Sequence, residues 1–280
     1  MKEKICVIIR VYNRIQDIEC NLEIIRKTWT NNDYYVIVSC NGEQDGYSMT
    51  EKIQSLSDKI VKNDGNSGHL QGNSLLLLQA LPYIPSDCEY TLLLEADTWL
   101  YQDKLICKYI KELKAQKAVW ASAKWYDRFH SLATDFAIVN TEFLKKNKAV
   151  LEFGIYPETY VASYIHDKGE SWVHIKENEP VQIAGYIHKY PYAPFGRFYV
   201  FPFSRMVTHH VEHFKRGMDR KKRDFNIFSG NFFPDNNVRF PVLYLIWMKI
   251  LVCVTLLFPR RSWFAKGEFR DEEKKYYSFE

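Results

Sequence analysis

Two acidic residues, Glu95 and Asp97, are separated by one residue and directly follow the apolar segment 90–94. If that segment is a buried strand, both carboxylates stand on a rigid platform, and their hard oxygen atoms are the ligands that Mg2+ and Mn2+ prefer. A metal ion held there bridges a diphosphate and neutralises charge on a departing nucleotide. In another setting the aspartate would only cap a turn, so the surrounding elements decide between a metal site and a structural role.

The segments before this pair alternate between strand and helix patterns. Residues 5–9 and 34–39 are apolar and rich in β-branched side chains, as in strands buried inside a parallel sheet, and residues 17–30 carry apolar side chains at helical spacing. Further strands and helices are predicted at 59–62, 72–81, 90–94 and 103–117. This alternation predicts an α/β fold with a doubly wound sheet, whose ligands bind at the carboxyl ends of the strands.

The composition limits the classes of protein to which this chain can belong. With 46% apolar and 26% charged residues among 280, the chain is typical of a folded protein. A formal net charge of +4 is small for this length, so nucleic acid is not expected as a partner. The six cysteines show no zinc-ligand spacing and are expected to be reduced thiols in the cytoplasm. Residues 1–9 lack the features of a signal peptide and are better explained as a first strand.

Four segments in order carry a resemblance to a known family. They are residues 6–14 (CVIIRVYNR), 36–42 (VIVSCNG), 66–73 (NSGHLQGN) and 92–97 (LLLEAD). Together they resemble the GT-A glycosyltransferases, specifically the large, mostly inverting family 2-like group that builds bacterial surface polysaccharides. The resemblance spans about residues 4–180 and implies a Rossmann-like, doubly wound mixed sheet that binds a nucleotide-sugar.

The same resemblance implies a division of the chain. Residues 1–205 would form the glycosyltransferase domain, with a nucleotide-sugar half at 1–118 and an acceptor half at 119–205. In the acceptor half, strands are predicted within 119–125 and 136–139, and helices from residue 141 and over 157–168. Residues 206–280 would be a basic and amphipathic C-terminal extension.

The resemblance also names the donor side of the site. Its donor-binding residues would be Arg10, Tyr12, Asn13, Arg14, Asn41, Asn66, Gly68, Asn73, Glu95 and Ala96. The metal, Mn2+ or Mg2+, would be bound directly by Asp97, by Glu95 directly or through water, and by His209 as a third ligand. His209 stands near other histidines and a basic stretch, so a solvated face is the alternative for it. Cys40 replaces an acid that helps to bind the nucleoside in the family, so the sequence does not identify the nucleobase of the donor.

The acceptor side contains a candidate base. An inverting transfer needs a group that removes the proton of the attacking hydroxyl, and the family places this acid at the start of a helix, where Glu158 stands after Pro157. A glutamate in a first helical turn is also favoured by the helix dipole alone, which is the alternative for Glu158. Asp127 and Asp135 are weaker candidates for the base. Trp125, Tyr126 and Asp135 would contact the acceptor, although such aromatic residues are often part of a core.

The C-terminal region combines basic and apolar stretches. The basic residues are Lys215, Arg216, Arg220, Lys221, Lys222 and Arg223. The apolar run 242–258 would be about 26 Å long as a helix, and Lys249 at its centre disfavours a membrane span. We expect it to lie on an anionic membrane surface through residues 242–263, with a core or dimer-interface helix as the alternative. The protein is then expected in the cytoplasm, peripheral on the inner face of the cell membrane, with a glycan or lipid-linked glycan as acceptor.

Two other functions compete with glycosyl transfer. A sugar nucleotidyltransferase shares the α/β architecture, but it needs a glycine-rich loop after the first strand, and residues 11–14 contain no glycine. A catalytically silent nucleotide-sugar-binding or scaffolding protein at the membrane is suggested by Cys40 and by the glutamate in the Glu-x-Asp pair. Metal-dependent binding of a nucleoside diphosphate distinguishes an enzyme site from such a scaffold.

Overall fold

The computed structural model describes residues 2–42, 49–65, 68–125, 130–154, 156–179, 200–201, 203–207 and 213–257. The strands are β1 Lys4–Val11, β2 Asp33–Cys40, β3 Lys59–Lys62, β4 Tyr90–Glu95, β5 Trp99–Leu100, β6 Trp120–Ser122, β7 Phe136–Asn140, β8 Trp172–His174, β9 Val200–Phe201 and β10 Met206–Val207. The helices are α1 Ile15–Thr28, α2 Glu51–Leu56, α3 His69–Ala80, α4 Lys104–Gln116, α5 Thr141–Lys146, α6 Pro157–Asp167, α7 His213–Ser229 and α8 Pro241–Leu256.

The central sheet has seven strands in the order β3-β2-β1-β4-β7-β6-β8. The strands β3, β2, β1 and β4 are parallel, whereas β7 runs antiparallel to both β4 and β6. The chain moves outward from β1 through β2 to β3 and then returns to the other side of β1 as β4. The strand order therefore reverses between β1 and β4, which is where open α/β sheets bind their ligands.

Helices cover both faces of this sheet. On one face, Ile5, Val7 and Ile9 of β1 pack with α1 and α4 in one buried cluster. On the other face, Cys6 and Ile8 of β1 pack with α3, α5 and α6 in a second cluster. Successive side chains of a strand point to opposite faces, so a strand buried on both faces must be apolar throughout. The prediction of a doubly wound, mixed α/β sheet is confirmed.

A smaller antiparallel sheet, β5-β10-β9, connects the C-terminal helices to this core. Trp99 of β5 is fully buried and packs against Phe225 of α7, with ring centroids 6.0 Å apart, and against Phe233, at 5.6 Å. Cys20 and Ile24 of α1 and Met248 of α8 join the same cluster. Helix α7 is interrupted at Gly217, whose φ of 76° is not helical. The domain boundaries near residues 118 and 205 remain predictions.

Several details of the elements differ from expectation, and strand β8 is one element that the sequence-based prediction lacks. Strand β5 is absent from the sequence-based elements, because two residues show no recognisable period. Helix α3 begins at His69, three residues before the predicted start, and Gly68 precedes it with a φ of 80°, which only glycine adopts at little cost. None of the helices in the described ranges is both long and apolar enough to span a membrane.

Candidate functional site at the ends of β1 and β4

Arg10 and Glu95 are partners in the register between β1 and β4, and their side chains form an ion pair. Arg10 is 3% exposed, and its Nη2 atom donates to Glu95 Oε1 at 2.5 Å and to the Thr134 carbonyl at 2.6 Å. The Nε and Nη1 atoms of Arg10 have no hydrogen-bond partner among the described residues. Buried donors of this kind are normally satisfied, so they mark a place where an anionic oxygen can bind.

Asp97 is also buried and lies in a second set of ion pairs. Its Oδ2 atom is 2.9 Å from Nη1 of Arg14, and the same nitrogen is 3.6 Å from Oδ2 of Asp17. Lys221, from α7, forms an ion pair with Asp17, donates to the Asp97 carbonyl at 2.6 Å and lies 4.1 Å from the centroid of the Trp99 ring. We call Arg10, Glu95, Arg14, Asp17, Asp97 and Lys221 the charge cluster.

The backbone after β4 is fixed by side chains from α1 and β5. Asn21, which is fully buried, donates through Nδ2 to the Ala96 carbonyl at 3.1 Å and to the Thr98 carbonyl at 2.9 Å. The Trp99 indole donates to the carbonyls of Asp17 and Ala96, each at 3.2 Å. Because these carbonyl groups are held from two directions, the peptides on both sides of Asp97 have little freedom. The carboxylates of Glu95 and Asp97 therefore stand on a rigid turn.

The segment 131–135 joins this turn to the first turn of α6. Leu132 donates its amide proton to the Glu158 carbonyl at 2.9 Å, and the Glu95 amide donates to the Asp135 carbonyl at 2.9 Å. The Trp125 amide donates to Ser131 Oγ at 3.0 Å. One short segment thus brings Glu158, Asp135 and Trp125 to the edge of the sheet that carries Glu95.

Glu158 and Asp135 are both buried. Glu158 is 6% exposed in the first turn of α6, after Pro157 and after Tyr156, whose φ of 60° is left-handed. The Asp135 carboxylate accepts a hydrogen bond from Asn178 Nδ2 at 3.4 Å. The helix-dipole explanation of Glu158 and its role as a base are both compatible with this position, and its chemical role remains a prediction.

Two histidines beside this region, His130 and His174, are shifted towards the neutral form. Burial lowers the pKa of His174 below its usual value, and nearby Lys124 lowers it further. The same two causes, in the same order, lower the pKa of His130. Trp172 donates its indole proton to Nε2 of His174 at 3.2 Å, as an unprotonated nitrogen requires.

The remaining predicted residues fall into three groups. Tyr12 and Asn13 follow β1, and Asn41 follows β2. The backbone N–H of Asn41 donates to the Val11 carbonyl at 3.3 Å. These three residues therefore share the carboxyl edge of the sheet with the charge cluster. Gly68 and Asn73 belong to the start of α3, the helix on the sheet face opposite to α1. Asn66, Tyr126, Asp127 and His209 lie outside the described residues. Within the described ranges, no three His, Cys, Asp or Glu side chains are grouped to hold a metal ion.

Four residues of the site escaped the sequence-based prediction: Asp17, Asn21, Thr134 and Lys221. By sequence, Lys221 is one of the basic residues of the C-terminal region, but its side chain is fully buried and so does not belong to an exposed basic surface. A signal was present in the spacing, since Met218, Lys221, Phe225 and Phe228 share one face of a helix. A lysine on such an apolar face needs a buried acid as its partner.

No family model matches the sequence, and no curated protein matches it. Similar solved structures include a mannosyltransferase from Pyrobaculum calidifontis in complex with GDP-Man and Mn2+, at 13% identity and a TM-score of 0.49 over 96% of this chain and 77% of that one. Another is the catalytic domain of Drosophila β1,4-galactosyltransferase 7 with xylobiose, at 11% identity and a TM-score of 0.40 over 61% of this chain and 64% of that one. A third is 4-diphosphocytidyl-2C-methyl-D-erythritol synthase from Anaerococcus prevotii, at 12% identity and a TM-score of 0.42 over 62% of this chain and 87% of that one.

These similarities are too distant to assign a function. Each TM-score lies below 0.5, and each identity is 13% or lower.

The buried Lys221 gives a stability prediction. We expect Lys221→Met to lower the free energy of unfolding by about 3–5 kcal/mol, because it removes the buried ammonium that pairs with the Asp17 carboxylate. Urea denaturation followed by circular dichroism measures the change. The matched control is Lys222→Met: Lys222 is partly exposed, its Nζ lies 5.7 Å from the centroid of the Phe233 ring, and its loss should cost less than about 1 kcal/mol. Equal losses in the two variants would contradict a special role for Lys221.

Proposed function

We propose that this chain is a glycosyltransferase that moves a sugar from a nucleotide-sugar donor to a glycan or lipid-linked glycan acceptor. The observation that carries the proposal is the arrangement at the β1–β4 reversal. There, two carboxylates on a rigid turn lie next to the buried guanidinium of Arg10, whose Nε and Nη1 atoms have no hydrogen-bond partner among the described residues. Such a site combines metal-ligating oxygens with donors for phosphate oxygens, which is the pairing that a nucleotide diphosphate requires.

The donor side follows from these groups. Arg10 and Arg14 would bind the diphosphate, and Tyr12, Asn13 and Asn41 at the same edge would contact the nucleotide. Asn66, Gly68, Asn73 and Ala96 complete the donor residues that the resemblance implies. The identity of the base is open because Cys40 stands where the family has an acid.

The residues present fit a divalent cofactor, Mn2+ or Mg2+. Asp97 and Glu95 offer carboxylate oxygens, the hard ligands that these ions prefer, and the other ligands would come from the diphosphate, water or His209. When bound, the ion neutralises charge on the departing nucleotide. Asp97 is the direct ligand in this proposal, and Glu95 is a direct or water-mediated one.

On the acceptor side, Glu158 is the proposed general base of an inverting transfer. Its support is its position, since the segment 131–135 connects the first turn of α6 to Glu95 through two backbone hydrogen bonds. Glu158 would remove the proton of the acceptor hydroxyl as that oxygen attacks the sugar opposite to the diphosphate. Trp125, Tyr126 and Asp135 would hold the acceptor. Stereochemical inversion rests on the family resemblance alone.

The proposal includes contact with an anionic membrane surface through residues 242–263, on the inner face of the cell membrane. One side of α8 packs against the protein through Met248, Leu251 and Val252. The other side exposes Val242, Leu243, Ile246, Ile250 and Val254, followed by Leu257 at 82% exposure. Residues 236–267 contain no acidic residue and five basic ones, Arg239, Lys249, Arg260, Arg261 and Lys266. An apolar face with basic neighbours is what an anionic lipid surface binds.

Asp97→Asn tests the metal site. We expect it to abolish Mn2+-dependent binding of nucleoside diphosphates and sugar transfer, because the amide is a much weaker ligand for a hard cation. Isothermal titration of UDP, GDP, CDP and ADP with and without Mn2+ measures the binding. The control is Asp219→Asn at an exposed position of α7, which should bind as the wild type does. Binding that is independent of metal in the wild type would favour the scaffold function instead.

Glu158→Gln tests the base. We expect this variant to keep the donor affinity of the wild type and to lose about 10²–10⁴-fold in the rate of transfer, because only proton removal is affected. Donor titration and a transfer assay on the same preparation separate the two effects. Glu152→Gln, an exposed position before α6, should leave both unchanged. Full activity of Glu158→Gln would eliminate this residue as the base and direct attention to Asp135.

The membrane surface is tested with vesicles. The double variant Ile246→Asp/Ile250→Asp should lose flotation with vesicles that contain phosphatidylglycerol, because two charges are placed on the exposed face of α8. The wild type should float with these vesicles and less so with pure phosphatidylcholine or at high salt. Leu75→Asp, a partly exposed position on α3, is the control. A wild type that never floats, or a double variant that floats equally well, would contradict the proposed surface.

A further inference from the structure

The formal charges of the charge cluster sum to zero. Arg10, Arg14 and Lys221 supply three positive charges, and Glu95, Asp97 and Asp17 supply three negative ones, joined by ion pairs in two groups. The side chains of Arg10 and Asp97 are only 2% and 4% exposed. Water can therefore do little to screen an added charge at this position.

A divalent cation arriving alone would disturb this balance. It would compete with Arg14 for Asp97 and with Arg10 for Glu95. Arg10 would be the harder to displace, because it is buried and its Nε and Nη1 atoms already have no partner in the described part of the chain. A buried guanidinium that loses its carboxylate is strongly destabilised. The bare metal ion should therefore bind weakly.

A diphosphate arriving with the metal changes the balance. The diphosphate of a nucleotide-sugar carries two negative charges, so the metal and the donor together add no net charge. Its oxygens can accept from the Nε and Nη1 atoms of Arg10. Arg14 has another carboxylate within reach, since its Nη1 is already 3.6 Å from Asp17 Oδ2.

We propose that Arg10 and Arg14 occupy the metal-binding carboxylates until the donor arrives, so that metal and nucleotide diphosphate bind cooperatively and neither binds well alone. This inference rests on the proposed function and concerns the same site. Arg14 is the residue that moves, from Asp97 towards Asp17 and the phosphate. Arg10 stays between β1 and the segment 131–135, where Thr134 holds it.

The experiment measures Mn2+ binding directly. Mn2+ is titrated into the protein with and without a saturating nucleoside diphosphate, chosen as the one of UDP, GDP, CDP and ADP that most stabilises the protein. Free Mn2+ is followed by electron paramagnetic resonance. In the wild type we expect the diphosphate to tighten Mn2+ binding by at least about tenfold, and Mn2+ to tighten diphosphate binding by the same factor.

Arg14→Met carries the decisive comparison. Without nucleotide, it should bind Mn2+ about tenfold tighter than the wild type, because Asp97 has lost its competing cation, and its cooperativity with the diphosphate should fall. Arg14→Lys keeps the charge and should behave more like the wild type. The control is Arg26→Met, which removes an ion pair with Asp58 far from the site. Thermal unfolding of each variant confirms that it is folded, and Arg14→Gln replaces the methionine variant if that one is not.

The outcomes separate this inference from the function on which it rests. If the wild type binds neither Mn2+ nor a nucleoside diphosphate when both are present, the proposed function itself is contradicted. A wild type that binds both without cooperativity, or an Arg14→Met variant that binds Mn2+ alone no tighter than the wild type, would leave the enzyme proposal intact and overturn this inference.

Discussion

The ion pair between Lys221 and Asp17 connects helix α7 to helix α1, at the turn that carries Asp97. Asp17 lies in the first turn of α1, and Lys221 comes from α7 and reaches the carbonyl of Asp97 as well. The turn after β4 thus depends on a helix from each end of the described chain. Because both side chains are buried, neither charge can be hydrated if its partner is lost, so the turn depends strongly on this ion pair.

Around that pair, the site is built from two kinds of constraint. The backbone of residues 95–99 is held by neutral donors, the Asn21 amide and the Trp99 indole, which fix position without adding charge. The side chains of Glu95 and Asp97 are held by arginines, which are charged and can exchange one anionic partner for another. A rigid frame that carries exchangeable charges is well suited to a site where charge must shift during a reaction.

The strands that position the site could be predicted from the sequence, whereas the contacts between distant side chains could not. Residues 5–9 and 90–94 are apolar throughout, as strands covered on both faces must be, so the sheet and the position of Glu95 and Asp97 at its carboxyl edge could be inferred. Asn21 and Thr134 could not, because each acts on a residue more than seventy positions away and no local pattern marks such a contact. Strand β5 is two residues long and has no period to detect. Lys221 was grouped with the basic residues because of its charge, whereas its position on the apolar face of α7 indicates that its side chain is buried.

The distance along the chain between Lys221 and Asp17, 204 residues, also bears on how the protein folds. Contacts of such separation close late, because the entropy of the long loop is lost before the contact forms. During synthesis, β1 to β4 can assemble well before α7 leaves the ribosome. Until then Asp17 has no lysine to balance it and the Asp97 peptide lacks one of its donors. The nascent protein would therefore hold a formed sheet with an unfinished site, and the arrival of α7 would be the step that completes it.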